Sequence, residues 1–181
     1  MPRRLIPFDP GGYYHLYNRG VNRGAIYFND KNYRFFLFNM ERYLLPIMDL
    51  VAYCLMPTHY HLLIAVKETS EVPATSEVSK AMMKLSVSYT KAMNHAYDRV
   101  GPLFQGAFQA KHVDSDAYLW KIVSYIHLNP VQSGLTETPD EWLYSSYYAY
   151  QDLWPDDPDK LKSLNYLRGL YDLGGLRIPR I

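Results

Sequence analysis

Cysteine is almost missing from this chain of 181 residues, and Cys54 stands alone. A single thiol builds no disulfide framework, so the sequence fits a reducing compartment, the cytoplasm. Cys54 lies in the apolar run "VAYCLM" and reads as a buried thiol. No hydrophobic run nears the roughly 20 residues that a bilayer-spanning helix needs. The stretch "MPRRLIPFDPGG" has basic residues but no apolar segment behind them, so no secretory signal is expected. Excess charge is missing too. A net charge of +1 argues against a general nucleic-acid coat protein, although not against a local basic face. Basic residues cluster at Arg3, Arg4, Arg19 and Arg23, at Lys80, Lys84 and Lys91, and at Arg177 and Arg180, while acids gather between Asp140 and Asp159. The plain reading of such clusters is solvated surface.

What the chain has in quantity is apolar and aromatic matter. Hydrophobic residues make up 48%, enough for a packed core rather than disorder. There are 18 tyrosines, which serve equally as core residues, interface residues and platforms for bases.

"GYYHLYNRG" alternates and ends in glycine, as a strand entering a turn does. Asn29 or Asp30 can cap a helix through about Leu45, with Tyr33, Phe36, Leu37, Met40, Tyr43 and Leu44 at helical spacing and Pro46 marking its end. "IMDLVAYCLM" and "HYHLLIAV" read as antiparallel strands joined by a short turn at Pro57-Thr58. An exposed loop precedes a helix from about Val78 to Tyr97, whose buried side holds Met82, Leu85, Tyr89 and Met93. A fourth strand follows the glycine-proline turn in "DRVGPLFQGAFQAKHV". "SDAYLWKIVSYIHLN" is a helix capped by Ser115 or Asp114 and stopped by Pro130. The order strand, helix, strand, strand, helix, strand, helix predicts an α+β fold. It is a ferredoxin-like or RRM-like antiparallel sheet with helices mainly on one face and the first and third strands as central neighbours. Residues 1–150 form one domain, and 151–181 are a carboxy-terminal extension.

Within "CLMPTHYHLLIAV", His59 and His61 are two apart on a strand, so they share one face and Tyr60 points to the other. Two imidazoles at that spacing suit a divalent metal, and they equally suit two histidines satisfied by hydrogen bonds at a sheet end. In "YLWKIVSYIHLNP", Tyr125 and Asn129 are one helical turn apart. Asn129 can offer a carbonyl oxygen to a hard cation, leaving open positions for a substrate phosphate. A phenol beside that phosphate is a candidate nucleophile, releasing the 3′ hydroxyl of DNA or RNA. Tyr118 lies on nearly the same face, and Asn129 before Pro130 also reads as a plain helix end.

These segments resemble a known family. "AYCLMPTHYHLLI" resembles the histidine-hydrophobic-histidine signature of single-tyrosine HUH transposases. "YHLYNRGVNRGAIYFND", "GPLFQGAFQAK", "YIHLNPVQSGL" and "WLYSSY" resemble, in order and spacing, the REP-associated tyrosine transposases, from about Tyr13 to Tyr148. The resemblance implies that His59, His61 and Asn129 hold Mg²⁺ or Mn²⁺. It also implies that Tyr125 attacks single-stranded or hairpin-bearing DNA, giving a 5′-phosphotyrosine and a free 3′ hydroxyl. Two departures stand out: Thr58 occupies a position that is usually asparagine, and Ala107 and Gln109 replace residues that are usually basic.

Arg19 and Arg23 flank a glycine turn and are the next candidates for DNA contact, although surface arginine is an equal reading. His15 shares the first strand as a core residue or a support to the site. His127 falls on another helix face and reads as structural. Rival functions are a host-domesticated hairpin-binding protein that does not cut, and a metal-dependent phosphodiesterase using water. Monomer and homodimer both remain open.

Overall fold

The computed structural model describes residues 6–68 and 74–151. Four strands, β1 (Tyr13–Arg19), β2 (Met48–Met56), β3 (His59–Val66) and β4 (Gln109–Val113), form one sheet in the order β2-β3-β1-β4. Every pairing is antiparallel, and β1 and β3 are the central neighbours. This is the α+β arrangement expected from the order of elements.

Helix α1 (Asp30–Tyr43) starts where Asn29 accepts a hydrogen bond from the Asn32 backbone N–H. Helix α2 (Ala74–Ala96) begins earlier than the polar stretch before Val78 suggests, and buries Met82, Leu85, Tyr89 and Met93. These two helices pack together on one face of the sheet over Tyr14, Leu16, Tyr60, Leu62 and Ile64.

Helix α3 (Asp116–Gln132) takes the opposite face, packing Leu119, Val123 and Ile126 over β2 and β3. β2 and the far half of β3 bury apolar side chains on both faces, so both faces need cover. A bulge between Leu50 and Ala52 shifts the phase of β2 and puts Val51 and Ala52 together under α3. Ser115 caps α3 by accepting from the Tyr118 backbone N–H. Pro130 does not stop the helix, which runs on to Gln132. A proline in the last turn costs one backbone hydrogen bond there, and the Ser133 N–H still closes onto the Asn129 carbonyl.

The segment ahead of α4 (Tyr147–Gln151) runs beside the outer edge of β2 through a Cys54–Ser145 bridge. Trp142 Nε1 donates to the Leu55 carbonyl, and the Leu55 N–H donates to the Tyr144 carbonyl. Cys54 is buried, and its burial holds the thiol protonated. No helix among the described residues is long and apolar enough to cross a membrane. The extension expected over 151–181, with Arg177 and Arg180, lies outside the described residues apart from Gln151, as do Arg3 and Arg4.

Candidate nucleic-acid and metal site

Strand alternation fixes what faces α3. Tyr60, Leu62 and Ile64 go to the α1–α2 core, so His59 and His61 face the other way. The register sets Tyr17 opposite His61 and Arg19 opposite His59. Helix α3 lays Tyr125 and Asn129 above this row. His59 Nε2 lies 3.3 Å from Asn129 Oδ1. The Tyr125 ring centroid is 5.2 Å from that of His61 and 6.3 Å from that of His15. Tyr125 is 39% exposed, whereas Asn129 is 5% exposed. The four residues singled out from the sequence, His59, His61, Tyr125 and Asn129, are therefore brought together.

Each histidine has one ring nitrogen engaged from behind. Thr58 Oγ1 is 3.0 Å from His59 Nδ1, and His15 Nε2 is 2.9 Å from His61 Nδ1. His61 Nε2 is buried and has no hydrogen-bond partner among the described residues. Burial pushes His61 down to about 3, helped by the neighbouring histidines. Burial, then the Lys111 charge, pushes His15 down to about 4. Burial also lowers His59, against the hydrogen bond to Asn129. The rings are therefore neutral at pH 7, the form that coordinates metals.

These observations fit a divalent cation. The orphaned buried nitrogen belongs to a ring 5.1 Å from that of His59, whose own Nε2 lies 3.3 Å from an amide oxygen. In the tautomer whose Nδ1–H groups donate backwards, to Thr58 and to His15, each Nε2 holds a lone pair for a cation, and His59 Nε2 faces Asn129 Oδ1. The donor set carries no charge, and no cluster of three or more histidine, cysteine, aspartate or glutamate side chains occurs among the described residues.

In front of the histidines is a cleft of ≈ 620 Å³. Arg19, Arg23, Gln105, Gln109 and Thr58 line it together with Tyr125. Arg19 Nε donates to Gln105 Oε1 at 2.7 Å. Gly20 makes the turn between the arginines, where a Cβ would sit 2.1 Å from the Gly24 carbonyl oxygen. Asn22 and Arg23 both hold left-handed backbone, at φ 54° and 57°. Both arginines therefore reach the cleft, but Arg23 does so from a strained backbone.

His127 points away from the site, as its helix position suggests. Its Nε2 lies 2.8 Å from Ser146 Oγ, and burial pushes it down to about 3. Ala107 does not line the cleft, and Gln109 does. Thr58, Tyr17, Gln105, Lys111 and Lys121 escaped the sequence reading as site residues. Tyr17 and Lys111 were recoverable only by pairing the alternation of β1 with that of its neighbours, which needs the register.

No family model matches the chain. A Haemophilus influenzae protein, provisionally named a REP-associated tyrosine transposase, is 27% identical over 123 residues, covering 61% of this chain and 69% of that one. A solved structure of a REP-associated tyrosine transposase bound to a REP hairpin superposes with a TM-score of 0.65. It has 16% identity and covers 82% of this chain and 84% of that one. That likeness is one of fold. In sequence this chain is similar to a provisionally named REP-associated tyrosine transposase, and it shares the fold of another.

Proposed function

We propose that this protein is a metal-dependent single-stranded DNA endonuclease and strand transferase with Tyr125 as its nucleophile, acting beside DNA hairpins. The observation that carries the reading is one helix face. It presents an accessible phenol and, one turn on, an amide oxygen 3.3 Å from the first histidine of the pair.

His59, His61 and Asn129 would hold Mg²⁺ or Mn²⁺. Such an ion, when bound, polarises the scissile phosphate and offsets the charge that develops in the transition state. The protein's own contribution is placement. Thr58 and His15 fix the histidine tautomers, and Asn129 rides on the helix that carries the nucleophile. Arg19 and Arg23 grip backbone phosphates and set the register of the strand without reading its sequence. Tyr125 Oη loses its proton and bonds to phosphorus as the bond to the 3′ oxygen breaks. That oxygen takes up a proton and leaves as a 3′ hydroxyl. The phosphate stays on Tyr125 as a 5′-phosphotyrosine, which conserves the bond, so a 3′ hydroxyl can attack in reverse and rejoin strands. The protein would do this in the cytoplasm, as a monomer or a homodimer, which light scattering distinguishes.

A second reading, a hairpin-binding protein without cleavage, draws on Gln105 and Gln109, neutral amides in a cleft where cations would raise affinity. Covalent capture separates the two. Protein is incubated with labelled single-stranded hairpin oligonucleotides, ideally repeats flanking its own gene, with Mn²⁺ or with chelator, and run on a denaturing gel. The expected result is a metal-dependent adduct that Tyr125→Phe abolishes. Tight binding with no adduct supports the binder. Strand cleavage that survives Tyr125→Phe points to water as the nucleophile.

A further inference from the structure

Behind Tyr125, on the side away from the arginines, lies a second groove of ≈ 430 Å³. One wall is β4. Alternation puts Gln109, Lys111 and Val113 on the α3 side, and the register sets Lys111 opposite His15. Val113 is buried among the α3 side chains, so the strand dives under the helix there and the gap opens at Lys111. The other wall is one stripe of α3, Tyr118, Lys121 and Ile122, ending at Tyr125. Ile122 is buried, Tyr118 is half-buried and both lysines are exposed.

The groove and the larger cleft share Tyr17, His61 and Tyr125. Tyr125 therefore stands where two depressions meet. A nucleophile that opens a chain needs a path on both sides of the bond it breaks. Among the described residues no carboxylate lines either depression, and Lys111 and Lys121 have no ion-pair partner. Two arginines stand on one side of the phenol and two lysines on the other, in a chain whose net charge is +1. Lysine on an edge strand also discourages strands from pairing with it. That purpose accounts for a lysine on β4, but not for a second one facing it from α3.

We propose that this groove binds the phosphodiester backbone of single-stranded nucleic acid continuing past the scissile phosphate. Lys111 and Lys121 contact its phosphates and the Tyr118 ring takes a base by stacking. The proposal rests on Tyr125 as the point of attack, and its test is arranged so that the two can fail separately.

The test is a salt titration of binding, measured by fluorescence anisotropy with a labelled single-stranded oligonucleotide. Chelator and a Tyr125→Phe background keep chemistry silent. Each phosphate contact on a single strand contributes a slope of roughly 0.7 in log affinity against log salt. Combining Lys111→Gln with Lys121→Gln should lower the slope by about 1.4. Lys31→Gln with Lys91→Gln removes the same charge from α1 and α2 on the opposite face and should leave the slope unchanged. Far-UV circular dichroism checks that both variants fold. Equal slopes in all three proteins, an equal loss in both double variants, or a parent that does not bind overturns the proposal. If the groove alone is wrong, the slope stays put while the native protein still forms its adduct. If the nucleophile alone is wrong, the slope falls as expected and no adduct forms.

Discussion

At the scale of the residue, the chemistry depends on which nitrogen of each histidine is free. The spacing of His59 and His61 was legible because a strand repeats every two residues. Of the supports, His15 was foreseen as a core or supporting histidine, whereas Thr58 was not, because it acts through a contact that only turn geometry creates. The abundance of tyrosine was ambiguous for a similar reason. Tyr14, Tyr27, Tyr53, Tyr60, Tyr89 and Tyr150 turn out to be core residues, while Tyr125 is exposed at the site. The first prediction concerns His15. Its Nε2 accepts from His61 Nδ1–H when His61 Nε2 ligates, so His15→Phe leaves that N–H facing carbon. Losing such a support weakens metal affinity by roughly 10- to 100-fold. Mn²⁺ affinity measured by isothermal titration should fall by that factor and recover in part in His15→Gln, which restores an acceptor. Circular dichroism should be unchanged in both. Native affinity in His15→Phe would remove the positioning role.

At the scale of the element, α3 carries both the proposed nucleophile and a proposed ligand, so its seating is the seating of the site. Its existence and cap at Ser115 were legible from period and capping chemistry. That it lies alone on the second face was not. The bulge at Leu50/Ala52 hides which residues of β2 face α3, and Pro130 was misleading as a stop. What ties α3 to the sheet edge is Ser146. Its Oγ accepts from the Tyr53 backbone N–H at 2.8 Å and lies 2.8 Å from His127 Nε2. Ser146 is 2% exposed, so water cannot replace the hydroxyl. Ser146→Ala abandons two buried hydrogen-bonding groups, and its cost should therefore fall toward the upper end of the roughly 1–3 kcal/mol that a buried unpaired group costs. Ser115→Ala removes an exposed cap and should cost about 1 kcal/mol. Urea denaturation should show this order as midpoint shifts at unchanged slope. Equal costs would show that the link between α3, Ser146 and β2 contributes no more than a helix cap.

At the scale of the whole molecule, composition hid the site because near-neutrality is an average. Acids and bases cancel over the chain, yet among the described residues no carboxylate lines either depression around Tyr125. The proposed metal donors, two imidazoles and one amide, are uncharged. A hard divalent ion held only by neutral groups near four cations gains little Coulomb energy from the protein. In the proposed reaction the missing negative charge would come with the substrate, whose phosphodiester would bring anionic oxygens beside His59 and Asn129. Metal and DNA should therefore bind with positive coupling, and coupling is reciprocal: the factor by which one tightens the other is the same in both directions. Couplings of this kind run from about 5- to 150-fold. With Tyr125→Phe to prevent reaction, Mn²⁺ should bind the free protein weakly. Saturating single-stranded DNA should tighten it by a factor within that range, and Mn²⁺ should tighten DNA by the same factor. Calorimetric titration in both orders measures the two numbers independently. Tight Mn²⁺ binding that DNA does not change would mean that the protein supplies charge from elsewhere, and the neutral donor set would be the wrong one.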